Sequence, residues 1–180
     1  MPISRIETNS IAPSQTLTTP IIATTMGVGG ATPSGSGSGI TFPATQSAST
    51  NANTLDDYEE GTWTPAFKNG GTATYNNQFG RYTKVGRFVF LECYIELSAL
   101  GTASGALIIT GLPFGCSNTA GTAQIWTNSW ASTAQNTVGI ITSSNELSFY
   151  SMVTSGSVTV LAMSNIGGLG NMVFTLSYSV

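Results

Sequence analysis

Apolar and polar residues alternate along most of the chain from residue 62 onward, as they do in strands with one buried face. The clearest case is RFVFLECYIEL at 87–97, whose apolar face carries Val89, Leu91, Cys93, Ile95 and Leu97. Similar short runs occupy 62–67, 79–86, 106–110, 122–130, 137–143, 146–152, 157–163 and 171–180. No segment has the 3.6-residue period of an amphipathic helix. The pattern predicts an all-β body, a β-sandwich or jelly roll.

The second face of the 87–97 segment is rich in aromatic residues. Phe88, Phe90 and Tyr94 alternate with the predicted core face. Aromatic side chains rarely line a solvated sheet face, so we expect this face to pack on another sheet or on another subunit. These three residues are therefore candidate oligomer contacts.

Residues 1–55 differ from residues 56–180 and are predicted to form an extended arm in front of a β-sandwich body. Proline lacks an amide donor, and five of the seven prolines lie in the first 43 residues, so neither a helix nor a central strand is expected there. GVGGATPSGSGSG at 27–39 has the composition of a flexible linker. Candidate anchor residues are spaced along the arm: Ile3, Ile6, Ile11, Leu17, Ile21, Ile22, Met26, Ile40 and Phe42.

These anchors are expected to dock on a neighbouring subunit or a larger assembly. Ordering a backbone residue costs ~1–2 kcal/mol, which buried apolar surface has to offset. The alternative is an arm that folds back on its own body.

The composition excludes several functions. The chain has 180 residues, five basic and eight acidic, and no histidine. Without histidine there is no Ser-His-Asp or Cys-His catalysis and no His-ligated zinc. Five basic residues neutralise few phosphates, so no nucleic-acid partner is expected. No apolar stretch reaches the ~18 residues of a membrane-spanning helix, and the N-terminus lacks the apolar core of a secretion signal.

Two cysteines, Cys93 and Cys116, allow at most one disulfide. Cys93 falls on the predicted core face, where a thiol behaves as a small apolar side chain. Nothing else in the sequence indicates export, so two inert reduced thiols are expected rather than a disulfide.

Most charged residues form two clusters. The acidic cluster is Asp56, Asp57, Glu59 and Glu60, and the basic cluster is Lys68, Arg81, Lys84 and Arg87. The acids suit the first turn of a helix capped by Asn53 or Thr54. Salt bridges to the basic cluster and a metal site are the alternatives, although the EF-hand spacing is absent. For the basic cluster, pairing with these acids is favoured over anion binding, and we expect no metal or cofactor.

Carboxylates are the remaining candidates for catalysis. Glycosidases use two of them, ~5–9.5 Å apart. Glu92 and Glu96 share a strand face at about 13 Å, which is too far, so no catalytic residue and no enzymatic activity are expected. Trp126 and Trp130 share a face if strand 122–130 is continuous, and aromatic rings suit amphipathic sugar rings. They are candidate glycan contacts, with core filling as the alternative.

Three segments resemble virion proteins of tailed bacteriophages. GITFPATQSASTNANTLDDYEEGTWTPAF at 39–67, YTKVGRFVFLECYIEL at 82–97 and ITGLPF at 109–114 are similar to a module in the C-terminal part of tail fibres and related surface appendages. NTLDDYEEGTWTP and YTKVG are its most specific segments. MPISRIETNSI at 1–11 resembles the opening of small phage structural proteins. The C-terminal third agrees only in its Gly-, Ser- and Thr-rich strands.

The resemblance implies a homotrimeric, β-rich, non-enzymatic component of the virion surface, assembled in the host cytoplasm. Long fibres carry this module after a shaft, which this sequence lacks, so we expect a short tail fibre or another receptor-contacting appendage. The expected partners are sister copies and other virion proteins through the arm, and the tryptophans add host surface glycan as a candidate partner. The alternative is a capsid decoration protein, a cement or head-fibre protein that stabilises the shell. A glycan depolymerase is the alternative from another class.

Overall fold

The computed structural model describes residues 24–116, 121–130, 137–141, 145–152 and 157–180. The chain separates into two units, Met1–Thr45 and Gln46–Val180. The sequence places the change in composition ten residues later, at 55–56. Several predicted anchors lie outside the described residues: Ile3, Ile6, Ile11, Leu17, Ile21 and Ile22. Among the residues that are described, no helix is long and apolar enough to cross a membrane.

The described part of the first unit contains a short parallel strand pair. β1 (Thr25–Gly27) pairs with β2 (Gly39–Thr41). The Gly- and Ser-rich segment between them is tied back by hydrogen bonds, because the Val28 amide donates to the Thr41 carbonyl at 3.0 Å and Thr25 Oγ1 donates to the Ser34 carbonyl at 2.6 Å. The segment with a linker composition is therefore the connection within a β-pair. Phe42, a predicted anchor, follows β2 and is half-buried.

The second unit is nearly all β-structure, as predicted. In chain order its strands β3 to β12 are Tyr58–Trp63, Ala66–Phe67, Thr74–Val85, Phe88–Ala99, Ile108–Thr110, Thr122–Trp130, Thr137–Ile141, Leu147–Met152, Val158–Val160 and Ile166–Ser179. A short 3-10 helix, Met163–Asn165, precedes the last strand. Each segment that the alternation predicts contains a strand.

The strands of this unit, as far as its residues are described, form one sheet in the order β3-β5-β6-β12-β8-β9-β10-β7-β4, with β11 paired to β10. The two ends of this order, β3 and β4, are separated in the chain only by Thr64 and Pro65. The sheet therefore folds on itself into two layers, which is a β-sandwich. β8 belongs to both layers because it pairs with β12 and, near Thr122, with β9.

The core lies between the two layers. The face of β6 that the alternation predicts as buried is buried in the structure: Val89, Leu91, Cys93, Ile95 and Leu97. From the opposite layer, the Phe149 ring meets the Phe174 ring of β12 edge-on, with centroids 6.1 Å apart. Cys93 and Cys116 are both buried and are not joined in a disulfide, as predicted.

The acidic cluster is extended rather than helical. Asp56 and Asp57 precede β3, and the other two acids lie within it. The expectation of a capped helical turn is wrong, because β3 pairs with β5 from Tyr58 opposite Val85 onward. The pairing with β5 satisfies the backbone N–H and C=O groups of β3. A helical turn at these residues would break those interstrand hydrogen bonds.

Candidate functional site on the outer face of the sheet

The layer formed by β3, β5, β6, β12 and β8 has an inner face toward the core and an outer face that the described residues of the second unit do not cover. Side chains alternate between these faces along each strand. On β6 the outer side chains are Phe88, Phe90, Glu92, Tyr94 and Glu96. The strand register places each of them in a row of side chains that runs across the neighbouring strands.

Four apolar side chains near the β5–β6 turn form a surface that we call the hairpin patch: Tyr58, Val85, Phe88 and Phe90. Val85 lies opposite both Tyr58 and Phe88 in the register. Phe88 is 51% exposed. Clustered exposed apolar side chains mark interaction surfaces. Two of the predicted oligomer contacts, Phe88 and Phe90, belong to this patch.

A second apolar group, the aromatic row, crosses the sheet further from that turn: Phe79, Tyr94, Val173 and Trp126. Tyr94 lies opposite Phe79 and Val173, and Val173 lies opposite Trp126. Three interstrand steps of ~4.8 Å make the row about 14 Å long. Trp126 is 58% exposed. The structure thus groups Tyr94, a predicted oligomer contact, with Trp126, a predicted glycan contact, and adds Phe79 and Val173 through the register.

Polar residues flank the aromatic row on both sides. Toward the hairpin patch lies a row of Arg81, Glu92 and Thr175. On the far side the register aligns four positions: Asn77, Glu96, Asn171 and Asn128. The apolar stripe is therefore one residue wide and bordered by hydrogen-bonding groups.

A cleft of about 440 Å³ opens beside the aromatic row, on its hairpin side. Its lining combines charged, hydroxyl and aromatic groups: Glu60, Gly61, Thr62, Arg81, Tyr82, Thr83, Phe90 and Glu92. This volume lies within the roughly 300–1,000 Å³ of small-molecule sites. The Arg81 guanidinium lies 4.9 Å from the Phe79 ring centroid, a cation–π contact that connects the cleft to the row.

A hydrogen-bond network holds Tyr94 in place. The Tyr94 hydroxyl donates to Glu96 Oε2 at 2.9 Å, and Asn76 Nδ2 donates to Glu96 Oε1 at 3.3 Å. The hydrogen bond to Glu96 raises the pKa of Tyr94, so the phenol stays protonated. The neighbouring Asn171 side chain has a smaller, opposite influence and lowers the pKa of Tyr94. Asn171 Oδ1 is the buried side-chain atom without a partner in the part of the chain that the structure describes.

Two predicted charge-pairing residues, Asp57 and Lys84, form a buried ion pair. Asp56, one position earlier, makes different contacts. Its carboxylate accepts the Ser49 amide at 2.7 Å and the Gln46 side-chain amide at 3.4 Å. The hydrogen bond from Ser49 lowers the pKa of Asp56. Asp57 is thus buried in an ion pair, whereas Asp56 accepts hydrogen bonds closer to the surface.

The other two acids of the cluster accept hydrogen bonds from tyrosines. Tyr82 donates to Glu59, and Tyr58 donates to Glu60. The bond to Glu59 raises the pKa of Tyr82 to about 12. The sequence does not mark either tyrosine as a partner. The β3–β5 pairing brings Tyr82 to Glu59, whereas Tyr58 lies two residues before Glu60 on the same face of β3.

Three predicted site residues have other environments. Lys68 pairs with Glu146 at 2.7 Å rather than with the acidic cluster. Arg87 is exposed in the turn between β5 and β6. The side chain of Trp130 lies outside the described residues, so a contact shared by both tryptophans stays a prediction. Within the described ranges, no three His, Cys, Asp or Glu residues converge as a metal site would require.

Comparison with known proteins shows a similarity between this chain and a solved structure. No family model matches the sequence, and no curated protein matches it. Among solved structures, the chain is similar to the crystal structure of the Dettilon tailspike protein, with a TM-score of 0.55 and 13% sequence identity. The match covers 68% of this chain and 24% of the tailspike chain, so the chain spans about a quarter of the length of that protein. At this identity the similarity shows a shared β-rich fold.

Proposed function

We propose that this chain is a non-enzymatic structural protein of a tailed-phage virion, a homotrimeric short tail fibre or other receptor-contacting appendage. The similarity of its sandwich to part of a tailspike carries the proposal. The resemblance of NTLDDYEEGTWTP and YTKVG to tail-fibre modules supports it independently. The two segments are neighbours in space, because β3 pairs with β5 and Asp57 contacts Lys84.

The arm, residues 1–55, anchors the protein to other virion proteins in this proposal, and the sandwich is displayed on the virion surface. The division of the chain after Thr45 supports such a separation of roles for residues 1–45 of the arm. The scarcity of charge between Ile11 and Leu55 suits a segment that is covered by a partner.

The hairpin patch is the proposed contact between sister subunits. Interface cores are enriched in aromatic residues and depleted in charged ones. The patch has that composition, with two phenylalanines, a tyrosine and a valine. Its exposed side chains would otherwise remain in water, at a cost of ~25 cal/mol for each Å² of apolar surface.

Localisation on the virion tests the role directly. Antibody-gold labelling or a density map of the purified virion is expected to place the protein on the tail. Density on the head would contradict the tail-appendage role and favour a capsid decoration protein. Absence from purified virions would contradict the proposal as a whole.

Light scattering on a sizing column tests the assembly. The purified chain is expected to give the mass of three copies, and the Phe88→Ser/Phe90→Ser double variant a lower mass. A matched control is Val158→Ser/Val160→Ser on β11, which removes two other exposed apolar side chains and is expected to retain the trimer mass. A monomeric unmodified chain would contradict the homotrimer.

The absence of enzymatic activity needs its own experiment, since the cleft contains two carboxylates, Glu60 and Glu92. The lack of histidine and of a catalytic motif in the resembling module supports a non-enzymatic protein. Incubation with host surface polysaccharide is expected to release no reducing ends. Release that disappears in Glu60→Gln or Glu92→Gln would make the protein a depolymerase.

A further inference from the structure

We infer that the aromatic row is a binding site for an extended, uncharged saccharide chain. The inference rests on the proposed function only for the source of that saccharide, the host surface. Binding itself is a property of the purified protein and is measured on it.

The shape of the row favours a linear ligand over a protein partner. The row is about 14 Å long and one residue wide, with polar residues along both edges. A stable protein–protein contact buries ~800 Å² on each partner, which needs a broad surface. A linear chain needs only a narrow stripe.

The rings of the row suit sugar stacking. An aromatic face packs against the apolar face of a pyranose, while the sugar hydroxyls at the ring edge remain free to hydrogen-bond. Trp126 presents the most exposed ring of the row. The Tyr94 hydroxyl donates to Glu96, so the orientation of this ring is set before a ligand arrives.

The flanking groups supply partners for sugar hydroxyls. Arg81 is held over Phe79 with its fork of N–H donors beside the row, and Glu92 lies opposite Arg81 in the register as an acceptor. On the other edge, Asn171 Oδ1 is buried without a donor. The terminal torsion of an asparagine is soft, so a small rotation would let this oxygen accept from a ligand hydroxyl beside Tyr94.

The local charge selects against acidic saccharides. One cation, Arg81, borders the row, against two carboxylates, Glu92 and Glu96. The whole chain has a net charge of −3. A uronic-acid or sialic-acid chain would meet net repulsion, whereas an uncharged hexose or N-acetylhexosamine chain would not.

An oligosaccharide array tests the inference. The probes are linear hexasaccharides of glucose, mannose, galactose and N-acetylglucosamine, with uronic-acid hexasaccharides for comparison. The unmodified chain is expected to bind at least one uncharged probe, and more tightly than any acidic probe. Trp126→Ala is expected to weaken that binding about tenfold. Leu169→Ala is the matched control, because it removes a 69% exposed apolar side chain of β12 outside the row and is expected to bind normally.

Two results would overturn the inference. One is the absence of binding to every uncharged probe, and the other is an equal loss in Trp126→Ala and Leu169→Ala with the circular dichroism spectrum unchanged. Light scattering on Trp126→Ala tests whether a second copy of the chain occupies the row instead. A lowered mass would assign the row to a subunit contact and contradict the saccharide site. A protein that binds the array but is absent from virions would contradict the proposed function and leave this inference standing.

Discussion

At the scale of single residues, the buried Lys84–Asp57 pair makes the stability of the fold sensitive to substitution. Both side chains are removed from water, and Lys84 Nζ lies 5.6 Å from the Phe114 ring centroid. Removing one partner of such a pair leaves an uncompensated buried charge, which costs ~3–5 kcal/mol. We predict that Asp57→Ala lowers the free energy of unfolding by about 3 kcal/mol, measured by urea denaturation.

The Lys68–Glu146 pair is the internal control, because it lies closer to the surface. Exposed ion pairs contribute ~0–1 kcal/mol, so Glu146→Ala is expected to lower the free energy of unfolding by less than about 1 kcal/mol. The double variant Asp57→Leu/Lys84→Met removes both buried charges and is expected to recover part of the loss. Equal losses for Asp57→Ala and Glu146→Ala would contradict the role given to the buried pair.

Two tyrosines make the fold sensitive to high pH. Burial raises the pKa of Tyr178 to about 12, and the hydrogen bond to Glu59 raises that of Tyr82 to about 12. An unfolded tyrosine has a pKa of ~10, so above that pH the folded state retains protons that the unfolded state releases. The unfolding free energy is therefore intact below pH 10 and is predicted to fall as the pH rises from 10 to 12. For buried Tyr178 the loss is about 2–3 kcal/mol.

Tyr178→Phe checks this pH dependence. The variant loses the 2.9 Å hydrogen bond to the Phe114 carbonyl, so it is expected to be about 1 kcal/mol less stable at neutral pH. It has no phenol to ionise, and the fall in its unfolding free energy above pH 10 is expected to be shallower. A variant that loses stability as steeply as the unmodified chain would show that Tyr178 does not carry the effect.

At the scale of strands, the packing of β3 on β5 depends on a glycine. Trp63 lies opposite Gly80 in the register, and its indole N–H is shared between the Arg81 and Glu92 carbonyls at 3.3 and 3.2 Å. A Cβ at Gly80 would overlap the indole ring. Gly80→Ala is therefore predicted to displace Trp63 and to lower the unfolding free energy by about 1–3 kcal/mol, measured by thermal or urea unfolding.

Gly86 in the β5–β6 turn provides the comparison. It has φ +55, and no atom lies within 4 Å of the position that a Cβ would take. Asparagine tolerates this left-handed conformation better than most residues, so Gly86→Asn is expected to cost less than about 1 kcal/mol. If Gly86→Asn were as damaging as Gly80→Ala, overlap with Trp63 would not explain the effect.

The sequence predicts a strand well where apolar and polar residues alternate within that strand. The alternation at 87–97 identifies both β6 and its buried face. The first residues of β5, Thr74–Gln78, carry no such alternation, because they are polar and include register shifts around Tyr75. The start of β3 is missed for a different reason. Acidic residues just before an apolar run also suit the first turn of a helix. Only the pairing with β5 decides between a helix and a strand.

At the scale of the whole molecule, sequence predicts the sandwich but not the order of its strands. The alternation places Phe88, Phe90 and Tyr94 on one face, and the structure agrees. The alternation cannot show that Tyr94 belongs to a different surface from the two phenylalanines. That assignment depends on the side chains that lie beside each of them on neighbouring strands. Phe79 and Val173 belong to no recognisable motif, and only the register of β5 and β12 with β6 places them in the aromatic row.

The two units lead to a prediction for the whole chain. As far as the chain is described, the hydrophobic core cluster, from Trp63 to Tyr178, lies within Gln46–Val180. Deleting residues 1–45 is therefore expected to leave a sandwich that unfolds cooperatively, with a Tm close to that of the full chain. The same deletion is expected to reduce incorporation into virions at least tenfold, because the proposed anchor is lost. Immunoblots of purified virions measure this, with Val158→Ser in the full chain as the control. Normal incorporation of the truncated protein would place the anchor in the sandwich instead.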